Sequence, residues 1–192
     1  MDLQNLKTLS SAIQPLKDEE WESFSSIWKP FELKRKELIT TKGNVESHLY
    51  FIEQGVQRVY ALDEKDREAT LVFTYPFSFG GSLDSFLLQK PSAYFYETLT
   101  PTSGFKASHK ELDRLMLQYP ALERMIRLGI SAALSGILER LVELQTFSSE
   151  EKLRALLKRS PHILQLVPHK YLANYLGIDP TNFSKLLNSV RM

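Results

Sequence analysis

Along the 192-residue chain the rhythm of apolar positions changes twice. Between Leu16 and Trp28 it is helical: Trp21, Phe24 and Ile27/Trp28 recur at steps of three and four, on one face of a short helix. Asp18, Glu19 and Glu20 fall in its first turn, where the helix dipole favours negative charge, and Pro30 ends it. From Phe31 to Lys106 the apolar residues gather into short runs between turn signals. This predicts strands over 31–40, 49–53, 56–62, 69–73, 94–100 and 104–107. Gln54-Gly55 is expected as a tight hairpin and Asp63-Glu64-Lys65-Asp66 as a polar turn. Strands so short and so regularly spaced fit a small sandwich or barrel.

Past Ser108 the spacing is helical again. Ser108-His109-Lys110-Glu111 has the form of a capping box ahead of Leu112, Leu115 and Met116. Pro120 suits the first turn of the next helix, which can run to about Thr146 without an internal proline. Its stripe is Ile126, Ile130, Ala133, Ile137, Leu141 and Leu144, with the small residues Gly129, Ala132, Ala133 and Gly136 on or beside it. Each glycine costs a helix about 0.8–1 kcal/mol against alanine, a cost easier to understand where another backbone approaches. The seam can therefore pair with its copy in a homodimer, through Ile126, Gly129, Ile130, Ala133, Ile137 and Leu141. The alternative is that it packs only on its own β-domain. A second capping box, Ser148-Ser149-Glu150-Glu151, opens a helix through Leu153, Leu156 and Leu157, closed by Ser160-Pro161.

The most informative segment is HKYLANYLGIDPTNFSKLLN, from His169 to Asn188. Read as a helix-turn-helix, it puts Leu172, Leu176, Ile178, Phe183 and Leu186 at buried positions. Ala173 falls where the helices cross and Gly177 where the turn wants a positive φ. Asp179 is a natural N-cap and Pro180 a natural first helical residue. The second helix, 180–190, would then lie in a DNA major groove. Pro180, Thr181, Asn182, Ser184 and Lys185 are its candidate readers, and His169 and Lys170 its candidate phosphate contacts.

Composition narrows the classes. Residues 150–192 carry seven Lys or Arg against three acids, while the other 149 residues carry 17 against 20. A basic tail on an acidic body points mildly to a polyanion partner. The absence of cysteine excludes disulfides, thiolate zinc sites, a cysteine nucleophile and a cysteine-ligated iron–sulfur cluster. No apolar run long enough to span a bilayer and no secretory signal occur, so a cytoplasmic protein with no membrane partner is expected. His48, His109, His162 and His169 are dispersed, without a metal-binding pair, and no nucleophile elbow, phosphate loop or dinucleotide fingerprint occurs. The expectation is that the protein is not an enzyme and holds no metal.

One further stretch, GGSLDSFLLQKPSAY from Gly80 to Tyr94, opens on paired glycines that can place backbone N–H groups around a phosphate. It offers no arginine, and its one acid would repel an anion.

A small β-domain, a glycine-containing turn, a long seam helix and a C-terminal helix-turn-helix, in that order, resemble the cyclic-AMP receptor protein/Fnr superfamily of bacterial transcription regulators. The residues 167–178 and Phe86-Leu87-Leu88-Gln89-Lys90-Pro91-Ser92 resemble its Bacteroidetes-type members. The resemblance implies an α+β chain in three parts. These are a jelly-roll, cyclic-nucleotide-binding-like effector domain (1–118), a dimerisation helix (119–146) and a DNA-binding domain (147–192). It implies a homodimer on two half-sites of double-stranded DNA, with RNA polymerase and an unidentified small-molecule effector as further partners. Effector occupancy would shift the seam helix and hence the recognition helices. The effector pocket would comprise Gly80, Gly81, Ser82, Leu83, Ser92, Ala93 and Tyr94.

Three departures stand out. The family's glycine-glutamate pair is Gly80-Gly81 here, and its phosphate-holding arginine-serine pair is Pro91-Ser92. A proline cannot replace a charge-assisted arginine contact, so ordinary cyclic-AMP binding is not expected and no cofactor is assigned. In the second helix Ser184-Lys185 keeps the family's charge but loses the bidentate fork of arginine. The sequence runs to Met192, and no wing strand is expected after the second helix. The competing reading is a β-barrel small-molecule or cyclic-nucleotide sensor that acts without DNA.

Overall fold

The structure, a computed structural model, describes residues 2–189; the expectations placed on Val190, Arg191 and Met192 lie outside the described residues. Two helices come first, α1 (Gln4–Ile13) and α2 (Asp18–Ser26). The sequence reading anticipates only the second, although Leu3, Leu6, Leu9 and Ile13 carry helical spacing in the first. The first-turn acids of α2 lie where expected, and Glu20 accepts from the Lys17 backbone N–H at 2.8 Å.

Among the described residues eight strands follow in two antiparallel layers. They are β1 (Lys29–Leu33), β2 (Leu38–Thr40), β3 (His48–Gln54), β4 (Gln57–Leu62), β5 (Glu68–Thr74), β6 (Ser78–Gly80), β7 (Phe95–Thr98) and β8 (Thr102–Ser108). One sheet has the order β1-β8-β3-β6 and the other β2-β7-β4-β5. The single strand expected over 31–40 is two strands in different sheets, broken at Lys36, whose φ is 64°. Gln54-Gly55 is not a hairpin either: β3 and β4 belong to opposite sheets, so the turn passes the chain between layers. Local sequence specifies a sharp turn equally for both outcomes; the strand partners decide.

The unbroken apolar run of β3 follows from its two-sided burial. Leu49 and Phe51 face a core shared with the helices, including Leu6, Phe24, Trp28, Leu112, Leu115, Leu122 and Met125. Tyr50 and Ile52 face the sandwich interior with Phe31, Val59 and Tyr96. Alternating side chains on one strand thus serve two cores. The short helix α3 (Leu83–Leu88) lies between β6 and β7.

After β8 the chain enters α4 (His109–Gln118). The Ser108 hydroxyl accepts from the Glu111 N–H at 3.3 Å, and donates to the Glu111 carboxylate at 2.5 Å. The long helix α5 has the expected bounds, Pro120–Thr146. Four more helices follow among the described residues: α6 (Ser149–Arg159), α7 (Ile163–Leu166), α8 (His169–Leu176) and α9 (Pro180–Ser189). The capping box at Ser148 and Glu151 is fully formed.

The described residues divide into two compact units. One is built from the chain up to Val59 and from Phe73–Ala132. The other takes Tyr60–Val72, the tip of the β4–β5 hairpin, together with the chain from Ala133 onward. The polar turn at that tip forms as expected: the Asp63 carboxylate accepts from the N–H groups of Lys65 (2.8 Å) and Arg67 (3.0 Å). Among the described residues no helix is long and apolar enough to cross a membrane.

Candidate functional site

The first candidate site is the α8–α9 pair. Leu172, Ala173 and Leu176 on α8 are fully buried, as are Ile178 in the turn and Phe183 on α9. Leu186 is half-buried. Gly177 has φ 62°, a left-handed conformation that a side chain would strain, and its N–H donates to the Asn174 carbonyl at 3.0 Å. The Ile178 N–H returns to the Ala173 carbonyl at 2.9 Å. Asp179 then caps α9, accepting from Thr181 N–H at 2.9 Å and from Asn182 N–H at 3.2 Å.

This arrangement leaves one face of α9 in solvent. Pro180, Thr181, Asn182, Ser184 and Lys185 are all exposed, and so are His169 and Lys170 at the start of α8. The His169 ring stands edge-on to Phe183 at 5.9 Å between centroids, tying the start of α8 to α9. Such a face offers hydroxyl, amide and ammonium groups at helical spacing, chemistry suited to base edges and phosphates.

The second feature is the apolar face of α5. Its first turns belong to the helical core through Leu122 and Met125, both nearly without exposure, with Ile126 packed against them. Ile130, Ile137 and Leu141 are 40%, 53% and 48% exposed. Gly129 and Ala133 are likewise not buried, and a side-chain carbon at Gly136 would meet nothing within 4 Å. The apolar face is wider than the stripe read from sequence, since Leu134, Leu138 and Val142 are more than half exposed as well. Next to it is Arg140, which sequence reading missed. Its guanidinium lies 3.7 Å from the centre of the Tyr175 ring, and burial lowers its pKa. A charge spaced three residues from Ile137 was the available signal.

The third is the segment from Gly80 to Tyr94. Gly80, Gly81 and Ser82 are buried, Leu83 and Tyr94 half-buried, Ser92 buried and Ala93 exposed. The turn-helix-strand shape is present, with α3 between the glycines and β7. Pro91 is exposed and bridges Val45 in the loop between β2 and β3. The Ser92 hydroxyl is used locally, accepting from Tyr94 N–H at 3.0 Å.

Around this segment the structure adds residues that sequence reading did not single out. Tyr50 pairs with Gly80 across β3 and β6, and its ring lies 5.9 Å from that of Tyr96. A side chain at Gly80 would run into the Tyr96 hydroxyl and Thr74. Burial pushes both phenols above their ordinary range. Glu46, in the loop between β2 and β3, is 2% exposed, and burial raises its carboxyl above the ordinary value. Nothing in the polar run Thr40-Thr41-Lys42-Gly43-Asn44-Val45-Glu46-Ser47 separates that acid from its neighbours by sequence. On the opposite sheet Arg58 and Glu97 form a buried ion pair at 2.7 Å, joined by Lys36 at 3.2 Å. Among the described residues no three His, Cys, Asp or Glu side chains gather as a metal site.

Residues 30–119 match the cyclic nucleotide-binding domain family. Among curated proteins no sequence matches the chain. Several solved structures share the fold over most of their length. FixK2 from Bradyrhizobium japonicum aligns with a TM-score of 0.76 at 16% identity, over 85% of this chain and 84% of that one. A transcriptional regulator assigned to the Crp/Fnr family, from Eubacterium rectale, gives 0.70 at 15% identity, over 91% and 83%. CLP, the c-di-GMP responsive global regulator of Xanthomonas campestris, gives 0.65 at 17% identity, over 90% and 91%. At these identities the likeness is one of fold: an N-terminal β-sandwich of the cyclic nucleotide-binding kind and a C-terminal helical region like that of Crp/Fnr regulators.

Proposed function

We propose that the chain is a transcription regulator of the Crp/Fnr type, a homodimer that reads two DNA half-sites through α9. The observation that carries this reading is the α8–α9 pair. Its buried residues, left-handed Gly177 and Asp179 cap present Thr181, Asn182, Ser184 and Lys185 together on an exposed helical face. His169 and Lys170 supply phosphate contacts beside it. The α5 seam of Ile126, Gly129, Ile130, Ala133, Ile137 and Leu141 joins the two copies, so that the two reading helices follow a two-fold axis.

On this reading residues 1–118 are the regulatory domain, 119–146 the dimerisation helix and 147–192 the DNA-binding domain. The protein acts in the cytoplasm, and its likeness to Bacteroidetes-type members rests on residues 86–92 and 167–178. The regulatory domain keeps the shape of a cyclic-nucleotide segment without the arginine that would hold a cyclic phosphate.

The test is selection from a pool of random duplexes by the full chain at low salt, followed by anisotropy titrations at rising salt. Enrichment of a palindromic site, with affinity falling steeply as salt rises, is the expected result. A chain that binds no duplex at low salt, alone or with cyclic nucleotides, would leave the DNA-free sensor as the reading.

A further inference from the structure

Glu46 is the one acid in its loop, and it is enclosed. The Thr40 hydroxyl donates to one carboxylate oxygen and the His48 N–H to the other at 3.1 Å, while the N–H groups of Ser47 and Ser82 also donate to the carboxylate. Among the described residues it forms no ion pair. A buried carboxylate without a counter-charge is costly, and here hydroxyl and backbone donors offset part of that cost.

The surroundings tie this acid to the segment that begins at Gly80. Ser82 directly follows the paired glycines, and the Glu46 side-chain stem passes beside Gly81. The Glu46 N–H donates to the Ser85 hydroxyl at 2.9 Å, which donates on to the Lys90 carbonyl at 2.6 Å. Further along, Gly43 N–H reaches the Ser92 carbonyl at 2.8 Å, and Ser92 N–H reaches the Asn44 carbonyl at 2.9 Å. The β2–β3 loop is thus fastened to both ends of the 80–92 segment. Behind the glycine turn the Tyr50 and Tyr96 rings fill the sandwich interior.

We propose that Glu46 is a built-in anion of this domain. Its carboxylate takes the Ser82 N–H, which directly follows the paired glycines, and its stem stands beside Gly81, so the chain closes the segment itself and excludes anionic ligands. The geometry stands without any reading of function; only its regulatory consequence rests on the proposed one. Such a domain is held in one state by its own side chain, and a change in its regulatory output has to come from elsewhere than a bound phosphate.

The experiment uses the 15N-labelled full chain. In the wild type, inorganic phosphate and cyclic AMP at millimolar concentration leave the amide signals of Ser47, His48 and Gly81–Ser85 unmoved. A shift of those signals by either probe overturns the proposal. In Glu46→Ala the same amides exchange with solvent at least about tenfold faster, and formate, but not chloride, restores protection. Unchanged exchange, or no response to formate, overturns it. Glu46→Gln keeps the size of the side chain and faces the donors with a neutral amide. If Glu46→Ala does not fold, the wild-type and Glu46→Gln spectra decide: His48 and Ser82 amides that match the wild type in Glu46→Gln count against the carboxylate. Duplex binding is measured on the same samples, so failure of the DNA reading leaves the amide result standing.

Discussion

The side-chain amide of Asn174 pairs with the backbone around Thr70 as a neighbouring strand would. Thr70 N–H donates to its Oδ1 at 2.6 Å, and its Nδ2 donates to the Glu68 carbonyl at 2.7 Å. β5 is the last strand of its sheet, so its outer backbone groups lack a neighbouring strand, and α8 supplies a single side chain to meet two of them. That contact helps explain why the hairpin tip clusters with the C-terminal helices.

Asn174→Asp keeps the shape but turns a donor into a repelling oxygen beside the Glu68 carbonyl. A cost of about 1–3 kcal/mol is expected, since a hydrogen-bonded group loses its partner. Amide hydrogen exchange over residues 60–72 should quicken while β3 and β8 keep their protection. Unchanged exchange at the tip would show that the pairing does not hold it.

The apolar face of α5 gives a prediction with an internal contrast. Leu134 and Ile137 are 54% and 53% exposed, whereas Leu122 is 0% exposed in the helical core. Leu134→Glu and Ile137→Glu should turn the proposed dimer into a folded monomer, read by light scattering with an unchanged far-ultraviolet spectrum. Leu122→Ala should instead cost about 2–5 kcal/mol of stability and leave the association equilibrium of the folded protein alone. A monomeric wild type would refute the seam.

How far the sequence could be read depends on the range of the interaction. The bounds of α5 were legible because Pro120 and an unbroken helical period are local signals. Gly177, Asp179 and Pro180 were legible for the same reason, each having a backbone requirement that its own side chain meets. The pairing of strands was not. Gln54-Gly55 fits a hairpin as well as a passage between sheets, and β6 is only three residues long. Glu46 was invisible because its partners Thr40, Ser82 and Ser85 come together only when the loop folds onto the glycine segment. Asn174 looked like any polar residue on the first helix of the pair, since its partners lie about 100 positions away.

Burial of Glu46 leads to a pH dependence of definite sign. Its carboxyl is raised above 4.5 by burial, against the opposing hydrogen bonds from Thr40, His48, Ser47 and Ser82. The folded chain therefore holds this proton more tightly than the unfolded chain does. Its contribution to stability is full below the ordinary value and is lost as the pH rises through the folded value. The neighbouring Tyr50 and Tyr96 phenols are pushed up by burial, and the His48 imidazole is pulled down by burial and by Lys106. The measurement is the stability difference between wild type and Glu46→Gln from pH 4.5 to 7, in which groups common to both cancel. It should move against the wild type as the pH rises; a flat difference would mean that Glu46 titrates as an exposed acid does.

The exposed face of α9 separates two kinds of contact. Asn182 can bond a base edge in two places, so Asn182→Ala should cost about 1–3 kcal/mol on the selected site and relax the preference at one base pair of each half-site. Lys185 carries charge without the fork of arginine, which suits a phosphate better than a guanine edge. Lys185→Ala should weaken every duplex alike and lower the salt slope by about 1 per reading helix. Both side chains are exposed, so neither change should alter the melting temperature. Phe183, between them in sequence, is 1% exposed, and Phe183→Ala should loosen the α8–α9 pair itself. If both surface variants bound the selected and random duplexes as the wild type does, α9 would lose its role as the reading helix, whatever the dimer does.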